Sequence, residues 1–458
     1  MFTINRKTKL IFNFSAISIK DTKAKDKKPY TIFDQGVNKY IVLDPTNVQM
    51  NDLDWSLSRA FSQLKQPTNI DLNSFIKLIK NTDVEAFLVS SFYNYEIVCT
   101  NPYDLHSKKI EPLAHNFIVN ASVYKKHERV IKALIEASNF SRKLMLMPNK
   151  DLSPKNFVDL VIKEFKPYEH LVDINVLDYE TMLNKGMGLI TAVGRGSIKE
   201  YLPYMLSIRF KNTTNEFTLV GKGITFDTGG MDIKIQSYML GMHMDMTGAA
   251  VTVGTMLALC KLGIKANYGV VVSLSNNDCG PWSYRCNDIY KSYNGLTVEI
   301  SNTDAEGRLI LADGMTYAIR DLKAKRLATI ATLTGAILVA YGDVYTGHWT
   351  TEKTLGDKFA KSAMIVGEYT WPMPFHREYD DLIHNYTINA DCINCAINKS
   401  VSSNTAAAFL HQFSENKPYM HFDIAGSSGR NFNGKNHPIP IMLRSVVNFV
   451  ITNYAKRK

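Results

Sequence analysis

The sequence predicts an α/β protein of two domains. A smaller N-terminal α/β domain (1–140) ends in a connecting helix, and a larger C-terminal α/β domain (141–458) has a mixed, mostly parallel central sheet covered by helices. Three observations carry this. The 458 residues, 45% hydrophobic and 21% charged, suffice for more than one core at roughly 150 residues per domain and have the balance of a folded chain rather than a disordered one. A helical pattern through Val130, Leu134 and on to Leu144 stops at Met147-Pro148-Asn149, where proline cannot continue a helix. Beyond it strands alternate with helices, the pattern of a mostly parallel sheet covered on both faces, and no fixed-period repeat points to a solenoid instead.

Taken in order, the first 140 residues alternate short apolar runs, such as 40–43 and 86–89, with polar turns, with helical stretches between them. After the connecting helix, 217–220 reads as a strand running into Gly221-Lys222-Gly223. Val253, Met256, Leu257 and Cys260 line one face of a helix, and 268–274 is a buried strand. Leu296, Val298 and Ile300 alternate with Thr297 and Glu299 as in a half-buried strand, and Leu311, Met315 and Ala318 mark the next helix. Residues 327–333 and 420–424 are strands and 439–454 a closing helix. In open sheets of this kind ligands gather at the carboxyl ends of the strands.

The net charge of +10 is largely terminal, because residues 1–28 contribute +6 of it. Such a basic arm offers a contact for nucleic acid or an anionic surface, but no aromatic-interleaved arginine stripe accompanies it, and a solvated terminal segment is the plainer reading. Six cysteines are too few for a disulfide framework, and the start of the chain shows no apolar signal core. The expectation is a cytoplasmic protein with reduced thiols. The most apolar stretch, 328–340, holds three threonines and is too short to span a bilayer. Cys392 and Cys395 form a lone CxxC without a second pair, which reads as two loop or core thiols rather than a zinc site.

Carboxylates at strand-to-helix junctions are the useful places to look for chemistry. There are three: Lys222-Gly-Ile-Thr-Phe-Asp227-Thr-Gly-Gly230 with Lys234 beyond it, Met242-His-Met-Asp245-Met-Thr-Gly-Ala-Ala250, and Asn302-Thr-Asp304-Ala-Glu306-Gly-Arg308. Singly, each has a plain explanation: Asp245 and Asp304 as helix N-terminal acids, Glu306 as a first-turn glutamate, Arg308 as a solvated partner. Together they put four carboxylates and two lysines in segments that are otherwise apolar and glycine-rich. Their charge of −4 is what two divalent cations would neutralise, with Lys222 as a neutral amine ligand if the metals depress its pKa. Lys234 and Arg308 remain as cations for an oxyanion and an anionic helper. The pattern points to metal-assisted hydrolysis.

The string Asn302-Thr-Asp-Ala-Glu-Gly-Arg308-Leu309, with Val220-Gly-Lys-Gly-Ile-Thr-Phe-Asp-Thr-Gly-Gly230, resembles the M17 leucyl aminopeptidase (cytosol aminopeptidase) family. Further matches include Asn149, Gly186-Met187-Gly188, Ala331-Thr-Leu-Thr-Gly-Ala336 and Ala406-Ala-Ala-Phe-Leu410. The resemblance implies a catalytic metallopeptidase domain over 141–458 that releases N-terminal residues, leucine and other apolar ones preferred, from short peptides by metal-activated water. Lys222, Asp227, Asp245 and Glu306 would hold one divalent ion and Asp227, Asp304 and Glu306 the other, with Zn or Mn foremost and Mg or Co as alternatives. Lys234 would stabilise the tetrahedral intermediate, and Arg308 would hold bicarbonate as proton relay. Met242, Asn302, Ala305, Thr332, Leu333 and Gly335 match pocket positions. A homo-hexamer, a dimer of trimers, is also implied. Two positions depart from the family pattern: His243 stands where lysine is usual, and Thr247 replaces a glycine.

Other signals carry less. Gly429-Arg-Asn-Phe-Asn-Gly434-Lys435 fits a phosphate-loop spacing, but Asn436 stands where Ser/Thr is needed and Pro438 interrupts the helix, so it reads as a loop. No HExxH or GxSxG is present, and His348, His376, His411 and His421 read as packing or surface groups. A two-metal phosphoesterase is the nearest rival among enzymes, although such sites usually recruit histidines and these junctions hold none with that role. A binding protein using the basic residues 1–28 is the rival from another class.

Overall fold

Two mixed sheets, each mostly parallel at its centre, organise the chain. The computed structural model describes residues 3–4, 12–21, 23–79, 83–109, 111–397 and 401–456. Part of the basic segment 1–28 lies outside the described residues. The first sheet has the strand order Thr3–Ile4, Asn116–Ile118, Thr68–Asp71, Phe12–Ser18, Asn38–Leu43, Ile32–Gln35, parallel except for its last pair. Helices Met50–Ser62 and Val84–Cys99 cover it through Phe61, Phe87 and Phe92, which pack with Phe14, Phe75 and Phe117. The apolar run 86–89 lies inside helix Val84–Cys99, which is buried on all sides from Phe87 to Ile97. A helix buried all round loses the 3.6-residue alternation that would mark it.

The connecting helix, Ala121–Leu146, begins well before Val130. Asn120 caps it by accepting from the backbone of Ser122 and Val123, and it ends at Met147 before Pro148. It packs between the sheets, with Ser141 Oγ donating to the Ala250 carbonyl at 2.8 Å. A Cβ on Gly254 would lie 2.1 Å from Ser141 Oγ, so the glycine is what lets these helices approach. One apolar cluster runs from Phe14 and Phe61 through Ala137 to Val253 and Phe449.

The second sheet is ordered Thr370–Pro372, Thr346–Thr350, Tyr419–Asp423, Leu327–Ala331, Phe217–Asp227, Tyr268–Asn277, Tyr204–Phe210, Val172–Leu177. Its four central strands, from Tyr419–Asp423 to Tyr268–Asn277, are parallel, and antiparallel pairings flank them. Helices Thr247–Lys261 and Leu443–Tyr454 lie on one face and Gly307–Arg320, Gly188–Gly194 and Ser402–His411 on the other. Strand Phe217–Asp227 is longer than the sequence pattern indicates: Gly221 and Gly223 belong to it, because helix Thr247–Lys261 rests on their bare backbone. A Cβ on Gly221 would meet Thr252 Oγ1 at 2.5 Å.

Smaller departures have similar local causes. The closing helix starts at Leu443 rather than 439, since Pro440 and the left-handed Met442 (φ 69°) precede it. The segment expected as a loop at 429–435 is a hairpin, Gly429–Phe432 with Lys435–Pro438, turned by Asn433-Gly434, both at positive φ, the dipeptide that hairpin turns prefer. All six cysteines are free, and Cys392 and Cys395 are buried. Among the described residues no helix is long and apolar enough to cross a membrane.

Candidate active site

The three junctions converge at the carboxyl ends of the central strands. Phe217–Asp227 delivers Lys222 from its middle and Asp227 from its end; Asp245 precedes helix Thr247–Lys261, and Glu306 stands at the N-cap of helix Gly307–Arg320. Lys222, Asp227, Asp245 and Glu306 are buried. They floor a cleft of about 820 Å³, which Lys234, Met242, Asp304, Thr332, Leu333 and Gly335 also line.

Lys222 Nζ lies 2.7 Å from Asp245 Oδ2 and 2.9 Å from Glu306 Oε1, and it donates to the Thr332 carbonyl at 3.0 Å. Burial works against its charge, but Asp245, Glu306 and Asp227 outweigh that and hold its proton above the ordinary lysine range. With these neighbours alone Lys222 is an ammonium, and service as an amine ligand requires it to give that proton up. Burial pushes the Glu306 carboxyl up to about 8, with Asp227 adding to the effect. It pushes Asp245 up to about 6 against the pull of Lys222.

Lys234 reaches across the cleft to Asp227 Oδ2 at 2.9 Å and Asp304 Oδ1 at 2.6 Å. The turn that brings it there needs Gly229 and Gly230, at φ 88° and 64°, a region that side chains disfavour. A Cβ on Gly229 would also lie 2.9 Å from Asp304 Oδ1.

Arg308 stands apart from this cluster. It is buried, its Nη1 donates to the Asn394 carbonyl at 2.9 Å, and its Nε has no partner. It takes part in none of the ion pairs found among the described residues, although a buried guanidinium without an anion is costly. Neither Asn302 nor Ala305 lines the cleft. Asn302 Oδ1 accepts from the Asp304 backbone at 2.8 Å, and the Asn302 and Ala305 carbonyls accept from Asn394 Nδ2 at 2.7 and 3.3 Å. They shape the loop that carries Asp304 and Glu306. The departures from the family pattern fit locally. Thr247 donates to the Met244 carbonyl at 2.7 Å, and His243 lies in the short turn Met242–Met244.

Several residues here escape sequence reading. Asn277 Nδ2 donates to Asp227 Oδ1 at 2.9 Å and to the Thr303 carbonyl at 3.1 Å. Asn394 holds the Asn302 loop. Asp423 accepts from Leu333 N at 3.1 Å and from Thr334 Oγ1 at 2.6 Å, which fixes the loop whose Thr332 hydroxyl donates to Asp245 Oδ1 at 2.6 Å. The available signal was a polar residue closing an otherwise apolar strand, as in Asn276-Asn277 and Phe422-Asp423.

The donor set fits a divalent metal. Oxygens of Asp227, Asp245 and Glu306 all lie within 4.8 Å of one another, and Asp245 Oδ2 and Glu306 Oε1 accept no well-directed hydrogen bond. Lys222 faces both of these oxygens and Lys234 faces Asp227 and Asp304, but four carboxylates outnumber two ammonium groups, and the excess buried negative charge favours a further cation. Oxygen donors with one amine nitrogen and no thiolate suit Zn, Mn, Co or Mg.

Comparison with known proteins agrees with this chemistry. The family model described as cytosol aminopeptidase family, catalytic domain, matches residues 139–443. A probable cytosol aminopeptidase of Mycoplasma pneumoniae is 38% identical over 370 residues, 80% of this chain and 81% of the relative. One of Mycoplasma genitalium is 35% identical over 81% of this chain and 84% of its own length. One of Fusobacterium nucleatum is 34% identical over 89% and 83%.

Proposed function

The chain belongs to the cytosol aminopeptidase family of metal-dependent aminopeptidases, and from that premise we propose that it releases apolar N-terminal residues, leucine foremost, from short peptides. The observation that carries this reading is the buried cluster of Asp227, Asp245 and Glu306 on the cleft floor, with Asp304, Lys222 and Lys234 around it. Lys222, Asp227, Asp245 and Glu306 would hold one divalent ion and Asp227, Asp304 and Glu306 a second, Zn or Mn foremost and Mg or Co as alternatives. Two such ions supply Lewis acidity toward the scissile carbonyl and an activated water nucleophile at neutral pH.

The chain's own residues do the rest. Lys234, held between Asp227 and Asp304 at the cleft wall, donates a hydrogen bond to the oxygen on which negative charge develops. Arg308, with its unpartnered Nε, would hold bicarbonate as proton carrier. Among the described residues no imidazole lines the cleft, and burial lowers the pKa of His243 in the adjoining turn. Met242, Leu333 and Gly335 give the first side chain an apolar wall, Thr332 fixes Asp245, and Asn302 and Ala305 act through the loop backbone. The acidic floor favours a free α-amine on the substrate.

The start of the family match at residue 139 supports a division into an N-terminal domain with its connecting helix (1–140) and a catalytic domain (141–458). The word cytosol in the relatives' names supports a cytoplasmic location. A hexamer built as a dimer of trimers is the assembly we propose, and light scattering on the purified protein tests it by chain number. Hydrolysis of leucyl-p-nitroanilide beside its N-acetylated form tests the aminopeptidase reading. Turnover of the free amine alone is expected, and equal turnover of both contradicts it.

A further inference from the structure

We propose that Asn277 is a positioning residue of this site: a bulge in strand Phe217–Asp227 brings Asp227 opposite the Asn277 side-chain amide, which sets the spacing of Asp227 and Glu306 for metal. The inference rests on the two-metal reading above. Strand Tyr268–Asn277 keeps an unbroken parallel register with Phe217–Asp227 from Tyr268 opposite Phe217 to Ser275 opposite Ile224. It then skips Thr225, so that Asn276 faces Phe226 and Asn277 faces Asp227. Side chains alternate between the faces of a strand, and a bulge re-aims those beyond it. Without the skipped residue Asn277 would stand beside Phe226 and not beside the acid.

The Asn277 amide is fully buried. Its Nδ2 lies 2.9 Å from Asp227 Oδ1, 3.1 Å from the Thr303 carbonyl and 3.4 Å from Glu306 Oε2. Thus a single nitrogen ties the end of strand Phe217–Asp227 to the loop and helix start that carry Glu306. Its orientation follows from these acceptors, since the flipped amide would set Oδ1 against two carboxylates. Oδ1 itself has no partner, so nothing else on the side chain decides how it points. A neutral amide suits this place. A cation there would compete with the metal for the carboxylates, and a further carboxylate would add repulsion and remove both donor hydrogens.

Loss of a group that orients metal ligands weakens metal binding by about 10- to 100-fold. The test is Mn(II) binding to the chelator-stripped full chain by calorimetry, for wild type, Asn277→Ala and Asn277→Asp, with thermal unfolding of each stripped protein. Both variants are expected to bind Mn(II) about 10- to 100-fold more weakly, with the stripped proteins still unfolding cooperatively, at lowered midpoints. Mn(II) affinity within about twofold of wild type in Asn277→Asp, which keeps the shape and loses the donor, overturns the proposal. If Asn277→Ala does not fold, the aspartate variant alone decides. Failure of the wild type to bind Mn(II) would instead overturn the metal-site reading on which the proposal rests.

Discussion

In the smaller sheet the strand Thr68–Asp71 ends in an aspartate, and in the larger sheet Phe217–Asp227 ends in another, yet the two side chains spend their oxygens differently. Asp71 accepts from the Asn73 backbone at 3.1 Å and caps the following helix. Asn120 and Asp44, also at ends of the smaller sheet, likewise accept from local backbone. In the larger sheet Glu306 occupies an N-cap position and makes no capping bond, and Asp245 faces Lys222 and Thr332. Asp227 is intermediate, with Oδ1 accepting from Gly229 N and Oδ2 facing Lys234. Both sheets offer strand-end acids, and what distinguishes the site is that they are buried together, with Asp245 and Glu306 taking no hydrogen bond from local backbone.

The sharpest way to break this contrast is to remove an uncapped acid. Glu306→Ala is expected to reduce leucyl-p-nitroanilide hydrolysis to background while circular dichroism stays native. Residual activity of a few tenths of wild type would show that the cluster is not the site. Lys234→Ala comes next, with a fall in kcat of about 10²- to 10³-fold, the cost of losing one oxyanion donor, and intact Mn(II) binding. A loss confined to KM would move Lys234 out of the oxyanion role. Arg308→Met is expected to lower kcat less than Lys234→Ala and to abolish any response of rate to added bicarbonate. An unchanged bicarbonate response would refute that role.

On the other side of the contrast, Asp71→Ala is expected to cost about 1 kcal/mol of stability through the lost cap, read in urea denaturation, with catalysis unchanged. The smallest effect concerns pH. His115, whose Nδ1 accepts from Thr68 N in the smaller sheet at 3.2 Å, is pushed down to about 4 by burial, below its unfolded value of about 6.5. Between these values the unfolded chain binds the extra proton, so this contribution is complete above pH 6.5 and is lost as pH falls toward 4. The unfolding midpoint of His115→Asn is therefore expected to fall less than that of wild type over that window. Parallel curves would place the acid sensitivity elsewhere.

How much of this was legible in the sequence follows the same physics. The three acidic junctions stood out because carboxylates interrupt apolar, glycine-rich text, and the chain brings Lys222, Asp227, Asp245, Asp304, Glu306 and Lys234 to one cleft. The alternation of strands and helices was readable for the larger sheet. Helix Val84–Cys99 was not, because burial on all sides leaves no periodicity. The hairpin after Gly429 is marked at its turn by Asn433-Gly434, a signal that the overlapping phosphate-loop spacing masks. Asn277 was invisible because its position depends on a skipped residue in the neighbouring strand, a property of pairing and not of local text.

The proposed role of the buried acids of the larger sheet is to hold the metal that does the chemistry. Its most direct test is hydrolysis of leucyl-p-nitroanilide by chelator-stripped protein before and after adding Mn(II) or Zn(II), with Glu306→Ala alongside. No turnover is expected when stripped, with recovery on adding metal in the wild type and none in the variant. Full activity in the stripped protein, or metal-restored activity in the variant equal to wild type, would contradict it.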